Sequence, residues 1–463
     1  MNNSALWIVI FQRPLIYPMK NMIKRREFLK RSAVVSLFAI APSTIFSANG
    51  GRSPNEKLNI ACIGVGGRGG ANISGVRNEN IVALCDVDST RAEGALKQFP
   101  KAKFYQDFRK MFDEMEKEID AVVVSTPDHT HAVAAMAAIK RGKHVYCEKP
   151  LAHTIVEVNT LMEAAKKYNV VTQLGNQGHS FDSIRVFVEW IRDGAIGNVH
   201  TIHAFAQAQY SKIDQLDAIK QEDPVPPGLN WDLWLGPAMY RPFNKAYHPG
   251  KWRGWSAFGT GMIGDWVCHV VDPSFWALDL GAPVSIKAEA KNYDPVKHAE
   301  TFPYGSKITF EFPPKNGRGA VKLIWYDGVE KPPRPQDMEP DDRLPGTGAI
   351  VIGDKGTIIH GSHGAGSVRI IPDAKMNAYK RPPQTIPRVK SHYDDWFNAI
   401  RNNKKAGSDF SYGGQLTKLA LLGIIAIRFL GETLVWDEKS NKFTNIDEAN
   451  KYLHKQYRQG WSL

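Results

Sequence analysis

The chain has 463 residues, enough for two or three domains with a buried core, and its 43% hydrophobic and 23% charged residues are those of an ordinary globular protein. Half of its net charge of +12 sits in the first 48 residues, which hold seven Lys or Arg and one acid. The rest is spread thinly, with no basic run interleaved with aromatics, and this excludes nucleic acid as the expected partner.

Residues 24–30 read Lys-Arg-Arg-Glu-Phe-Leu-Lys, and an apolar run follows from Ala33 to Phe46. A basic region, a short apolar stretch and a polar exit describe a secretory signal, not a membrane span. Arg25-Arg26 with Phe28, Leu29 and Lys30 resembles a twin-arginine export signal. The expectation is a leader over 1–48, export to the periplasm, and a mature chain without a membrane span; an uncleaved anchor is the alternative. The four cysteines, Cys62, Cys85, Cys147 and Cys268, are read as buried free thiols, which suits export of an already folded chain.

From Leu58, short β-rich runs (58–63, 81–85, 120–125, 144–147 and 170–174) alternate with helical patterns such as 130–141 and 154–168. Near-continuous apolar strands alternating with helices predict a parallel, doubly wound sheet of an α/β Rossmann domain over 57–178. The first run enters Gly64-Val65-Gly66-Gly67-Arg68-Gly69, a G-x-G-x-x-G loop. Gly64 allows the tight turn, Gly66 lets the backbone approach a pyrophosphate, and Gly69 lets the helix pack close to the strand. Gly67 and Arg68 are assigned to the same phosphates. Asp86 ends the second run, where an acid hydrogen-bonds the adenosine ribose and repels a 2′-phosphate, so NAD is favoured over NADP. Arg68 and Arg91 leave phosphate contacts open.

After residue 197 the texture changes to longer strand-like segments (199–210, 284–293, 306–312, 319–327 and 349–353) joined by loops rich in Pro, Gly and Trp. They predict an α+β domain over 179–440 with a large, open, mostly antiparallel sheet. Segment 331–347 reads as an exposed loop, 391–402 and 413–430 as a helical pair, and 441–463 as a tail. Trp231, Trp234, Trp252, Trp255, Trp266 and Trp276 crowd one region. Aromatic faces stack on sugars, but core packing accounts for most such residues, and Trp252 or Trp255 is the substrate candidate, with Arg253 beside it. No histidines or cysteines have metal-ligand spacing.

Three blocks resemble the Gfo/Idh/MocA oxidoreductases: Ser125-Thr126-Pro127-Asp128-His129-Thr130-His131; Cys147-Glu148-Lys149-Pro150-Leu151-Ala152; and Gly261 to Asp272, which matches G-x-x-x-D-x-x-x-H-x-x-D. With Gly353-Asp354-Lys355-Gly356-Thr357 and Trp436-Asp437, the resemblance spans residues 57–440. It implies hydride transfer between a nicotinamide and a sugar or cyclitol carbon. By position, Lys149, Asp265 and His269 are the implied catalytic set. Asp265 and His269, four apart, share a helix face. His269 suits proton removal from an alcohol, and Lys149 suits stabilising the developing charge. A surface lysine and a structural helix pair are the bland readings. Thr126, Pro127, His129, His131, Glu148, Lys149 and Asn176 are assigned to the cofactor side, and Lys149, His179, Trp252, Arg253, Asp265 and His269 to substrate; Asp272 is read as structural.

An exported enzyme has no free NAD pool, so the cofactor is expected to be tightly bound and recycled in place. An NAD-dependent redox-neutral glycosidase or epimerase, working through a transient keto sugar, stays open. Against it, the glycosidase members of the family carry a tyrosine-proline-threonine-histidine block where this chain has Gly264 to His269. A non-catalytic sugar-binding relative also stays open. The open sheet predicts a homodimer or homotetramer.

Overall fold

A computed structural model describes residues 56–463; the leader expected over 1–48 lies outside them. The first half alternates strand and helix: β1 (Asn59–Ile63), α1 (Arg68–Val76), β2 (Asn80–Cys85), α2 (Ser89–Gln98), β3 (Lys103–Tyr105), α3 (Phe108–Met115), β4 (Ala121–Val124), α4 (Asp128–Ile139), β5 (His144–Glu148), α5 (Ile155–Lys167) and β6 (Thr172–Gly175). The six strands are parallel, in the order β3-β2-β1-β4-β5-β6. Ligands bind such a sheet at the carboxyl ends of its strands, where the order reverses, here between β1 and β4. Helix starts are marked by capping side chains: Asp88 accepts from the N–H of Thr90 and Arg91, Asp107 from Arg109, and Thr154 from Glu157. The strands read as unbroken apolar runs because both faces are buried. Ala61 and Ile63 face one core, Ile60 and Cys62 the other.

The second half runs α6 (Asp182–Arg192), β7 (Val199–Ala206), α7 (Trp231–Leu235), α8 (Gly261–Val270), α9 (Asp272–Ala277), β8 (Ser285–Glu289), β9 (Lys307–Phe312), β10 (Val321–Asp327), β11 (Thr347–Gly353), β12 (Thr357–Gly361), β13 (Arg369–Ile371), α10 (Asp373–Ala378), α11 (His392–Arg401), α12 (Phe410–Ile427), β14 (Thr433–Asp437) and β15 (Lys442–Phe443). Its nine strands order as β13-β12-β11-β7-β10-β9-β8-β14-β15. Only the β7–β10 pairing is parallel; the rest are antiparallel. The α/β Rossmann half plus a mostly antiparallel second sheet is the architecture expected from the sequence. Helix α12 is long and apolar enough to cross a membrane by length and composition, yet 78% of it is buried inside the protein.

Two boundaries differ from the sequence reading. Helix α11 belongs to the first half, for Trp396 is fully buried against Ile60, Cys62 and Tyr146. Segment 331–347 is the irregular, mostly exposed loop expected, pinned by Met338, which is buried with Phe205, Ile324, Tyr326, Ile350 and Ile359 on the outer face of the second sheet. Further along that face, the ion pairs Lys307–Glu289 (2.9 Å) and Lys322–Glu311 (3.2 Å) replace apolar side chains. The bare apolar face from which a dimer or tetramer was argued is therefore partly covered by the chain itself and partly charged. Residues 441–463 are not a tail. Lys455 pairs with Glu157 (3.0 Å), and Tyr457 donates to the same carboxylate (2.5 Å).

Candidate active site

One cavity of about 700 Å³ opens at the carboxyl edge of the parallel sheet. At its floor β1 gives way to Gly64, whose φ is +79°, and a Cβ there would lie 2.8 Å from the Ser125 carbonyl. A Cβ on Gly69 would meet the Gly64 oxygen at 2.0 Å, so α1 rests on β1 at backbone distance. Helix α1 starts with no side-chain cap and no acid in its first turn. The positive end of its dipole favours an anion there. At the end of β2, Asp86 Oδ2 accepts from the N–H of Val65 (2.8 Å) and Gly66 (3.2 Å), and Oδ1 from Asp88 (3.0 Å). Burial raises its carboxyl above the ordinary range against the pull of these donors. Asp86 thus braces the glycine loop while still lining the cavity.

At the other end, Lys149 follows β5. Its ammonium donates to the Asp265 carbonyl (2.7 Å) and to carboxylate Oδ1. Tyr210 donates to Oδ2 (2.7 Å), and Arg253 Nε lies 3.4 Å from Oδ1. Burial would lift the Asp265 carboxyl, but the charges of Lys149 and Arg253, with hydrogen bonds from Lys149 and Tyr210, hold it well below the carboxylate range. One turn along α8, His269 lines the same cavity, and its Nδ1 is buried without a hydrogen-bond partner. Burial first, then the charges of Lys149 and His363, push the imidazolium of His269 well below its usual pKa. His363 arrives from the β12–β13 loop, where His363, Gly364, Ala365 and Ser367 all have positive φ. Its ring stacks on His269 with centroids 4.2 Å apart. A Cβ on Gly178 would lie 2.4 Å from the His363 carbonyl carbon, and one on Gly364 2.1 Å from the Gly178 oxygen. Glu148 ties the two ends together, accepting from Arg68 Nε (3.0 Å), Asn72 (3.0 Å) and Gln177 (2.9 Å).

Residues 58–176 match the model of the oxidoreductase family, NAD-binding Rossmann fold, and residues 205–314 the model of the oxidoreductase family, C-terminal alpha/beta domain. These two segments match the two domains of the Gfo/Idh/MocA oxidoreductases. It is 28% identical over 189 residues to a levoglucosan dehydrogenase of Pseudarthrobacter phenanthrenivorans, which covers 41% of this chain and 40% of that protein. It is 35% identical over 202 residues to a glycosyl hydrolase family 109 protein of Solibacter usitatus, covering 38% of this chain and 44% of that one. The matches thus span less than half the length of these curated relatives. An inositol dehydrogenase homolog from Azotobacter vinelandii, solved with NAD+, shares the fold at TM-score 0.55 and 16% identity, over 82% of this chain and 97% of that one.

The residues present fit the nicotinamide cofactor of the Gfo/Idh/MocA family. Gly64, Gly66, Gly67 and Arg68 form a cradle at the helix start, and Asp86, Thr126, Pro127, Glu148 and Lys149 continue the wall toward Asp265 and His269. Trp252 and Arg253 line the reaction end, the guanidinium lying 4.3 Å over the indole. Trp255 is fully buried in an aromatic core with Trp231, Tyr247 and Phe258.

Three expected site residues lie elsewhere. His129 turns away from the cavity, with Nε2 3.0 Å from the Trp234 carbonyl and its ring against Phe258, because the first turn of α4 points that side chain into the aromatic core. Asn176 donates to Asp272 (3.0 Å) and accepts from Ser408 (2.7 Å), fully buried. His179 points the same way, with Nδ1 3.0 Å from Asp272 and its ring stacked on Trp276. The short 3-10 turn Gln177–Ser180 sends only Gln177 to the cavity. His131 does line the cavity, but its nitrogens sit 2.7 Å and 2.8 Å from the carbonyls of Pro150 and Thr126, so it braces two loops. Sequence reasoning missed Tyr210, His363, Phe181, Trp234, His248 and Trp461, all on the cavity wall. The glycines of 361–366 were the one available sign of the His363 loop.

Proposed function

We propose that this protein transfers hydride between NAD and a carbon of a sugar, cyclitol or other polyol. The observation that carries the reading is Lys149, Asp265 and His269 meeting at one end of a cavity that also holds a glycine cradle. When bound, the nicotinamide supplies the hydride acceptor or donor. Lys149 holds the reacting oxygen and stabilises its negative charge as the carbon–hydrogen bond is lost. Asp265 fixes the ammonium; held ionised by its cationic neighbours, it is not a free proton acceptor at neutral pH. His269, kept neutral by burial, offers a ring nitrogen to the hydroxyl proton. NAD rather than NADP is supported by the Asp86 carboxylate at the ribose position.

The test is reduction of NAD by a panel of polyols and sugars, followed by absorbance of the reduced nicotinamide, with Lys149→Ala beside the parent. Turnover is expected to fall by about two to four orders of magnitude, while NAD binding by calorimetry is kept. A Lys149→Ala protein that turns over normally overturns the assignment.

We also propose export through the twin-arginine route, supported by Arg25-Arg26 and the apolar run behind them. Replacing both arginines by lysine should leave the protein in the cytoplasm on cell fractionation; unchanged periplasmic recovery counts against it.

A further inference from the structure

The wall of the cavity beyond Asp86 is built by segments far apart in sequence. Gln106 and Phe108 come from the β3–α3 connection, Leu233 and Trp234 from α7, and Trp461 from the last segment of the chain. Two of these segments are fastened across the parallel sheet. Gly228 accepts from Ser89 N–H (3.1 Å) and Gln106 Nε2 (3.0 Å). Asn230 N–H donates to Val87 (2.8 Å), and Leu229 forms a β-bridge with Asp88. Segment 455–461 is anchored in turn. Lys455 reaches Glu157 (3.0 Å) and the His129 carbonyl (3.1 Å). Arg458 donates to the carbonyls of Asp232 (2.8 Å) and Gly236 (3.1 Å) and to the Asp232 carboxylate. These bonds deliver Trp461 beside Phe108, ring centroids 6.0 Å apart, with the Arg109 guanidinium carbon 4.4 Å from the centroid of the indole.

We propose that segment 455–461 is part of the cofactor site: Trp461 covers the adenine and, with strap 228–234, retards release of the dinucleotide. The inference rests on the nicotinamide reading above. From the glycine cradle the cavity runs two ways. Lys149, Asp265 and His269 occupy the reaction end, so the adenosine lies toward Asp86 and beyond. What waits there is flat and aromatic, the chemistry that takes a purine face. Base–aromatic stacking contributes about 1–3 kcal/mol per base on alanine substitution, or roughly 5- to 150-fold in affinity. Exit past the adenine end requires the Gly228 and Arg458 bonds to open, which lowers the dissociation rate.

The experiment uses the full chain with NAD and with ADP-ribose, which keeps the adenosine end and lacks the nicotinamide. Affinity is read by calorimetry and release by stopped-flow fluorescence, for the parent, Trp461→Ala and Arg458→Gln, with melting of the cofactor-free proteins as the folding control. Trp461→Ala is expected to weaken both ligands about tenfold or more and to speed release in proportion. Arg458→Gln, which loosens the segment without touching the ring, is expected to speed release as well. Equal affinity and release in a folded Trp461→Ala protein overturn the inference. A parent that binds neither ligand overturns the nicotinamide reading itself.

Discussion

His269 and His363 lie face to face, 22° from parallel, one on a helix of the reaction end and the other on a loop between two strands of the second sheet. Stacked imidazoles repel when both are charged, so charge on His363 opposes protonation of His269. Lys149, Arg68 and Asp265 also face His269, the first two opposing its protonation and the third favouring it.

The expected consequence is a pH profile. Alcohol oxidation needs neutral His269, which is present above its pKa and lost as pH falls through it. Since burial and cationic neighbours depress that pKa, the acid limb of kcat/KM should lie below 6.5. His363→Asn removes one opposing charge and should move the limb to higher pH. A limb that stays or moves down sinks the pairing argument.

Tyr210 gives the second test. Tyr210→Phe deletes one donor to Asp265 and leaves Lys149 and Arg253 in place. The lost hydrogen bond costs about 1–2 kcal/mol, so kcat should fall roughly five- to thirtyfold, with cofactor affinity by calorimetry unchanged.

How much of this was legible follows from where the residues come from. Lys149 sits at a strand end, and Asp265 and His269 are one helical turn apart, so local periodicity places them. Gly64 announces a left-handed turn and Gly69 a backbone approach too close for any side chain. Tyr210, His363 and Trp461 reach the cavity through packing between distant segments, and no local pattern records that. His129 and His179 failed for a subtler reason. His129 lies between Asp128 and Thr130, which do line the cavity, and His179 lies two residues from Gln177 and Phe181, which also do; only the direction of a short turn decides which side chain faces inward.

His179 supplies a prediction of the opposite kind. Its pairing with Asp272, itself bonded by Asn176 and Tyr412, is buried and outside the cavity. Losing a hydrogen bond to a buried carboxylate costs about 1.5–3 kcal/mol. His179→Asn should therefore lower the melting temperature by several degrees while kcat per folded molecule stays within a few-fold of the parent. A large loss of kcat with unchanged melting would return His179 to the reaction.

Acid stability should be governed by buried imidazoles. His360 and His392 are pushed down to about 4 by burial. Unfolded histidines bind protons near 6.5, so between 6.5 and about 4 the unfolded chain holds protons that the folded one refuses. Stability therefore falls as pH falls through that window, each group contributing about 3 kcal/mol by its end. His392→Gln should flatten the dependence of denaturant midpoint on pH there; an unchanged slope would remove His392 from the account.

The close approach of Gly178 and Gly364 has a consequence for exchanging parts. It fastens the exit of the parallel sheet to the loop that brings His363 to the reaction end, with no room for a side chain on either partner. Grafting a relative's second sheet onto this first half, the natural way to swap substrate preference, would replace the His363 loop with one cut for another surface. Unless the incoming loop kept a glycine where Gly364 stands, it could not seat against Gly178, and the chimera would gain the foreign specificity wall without the alignment of its reaction end.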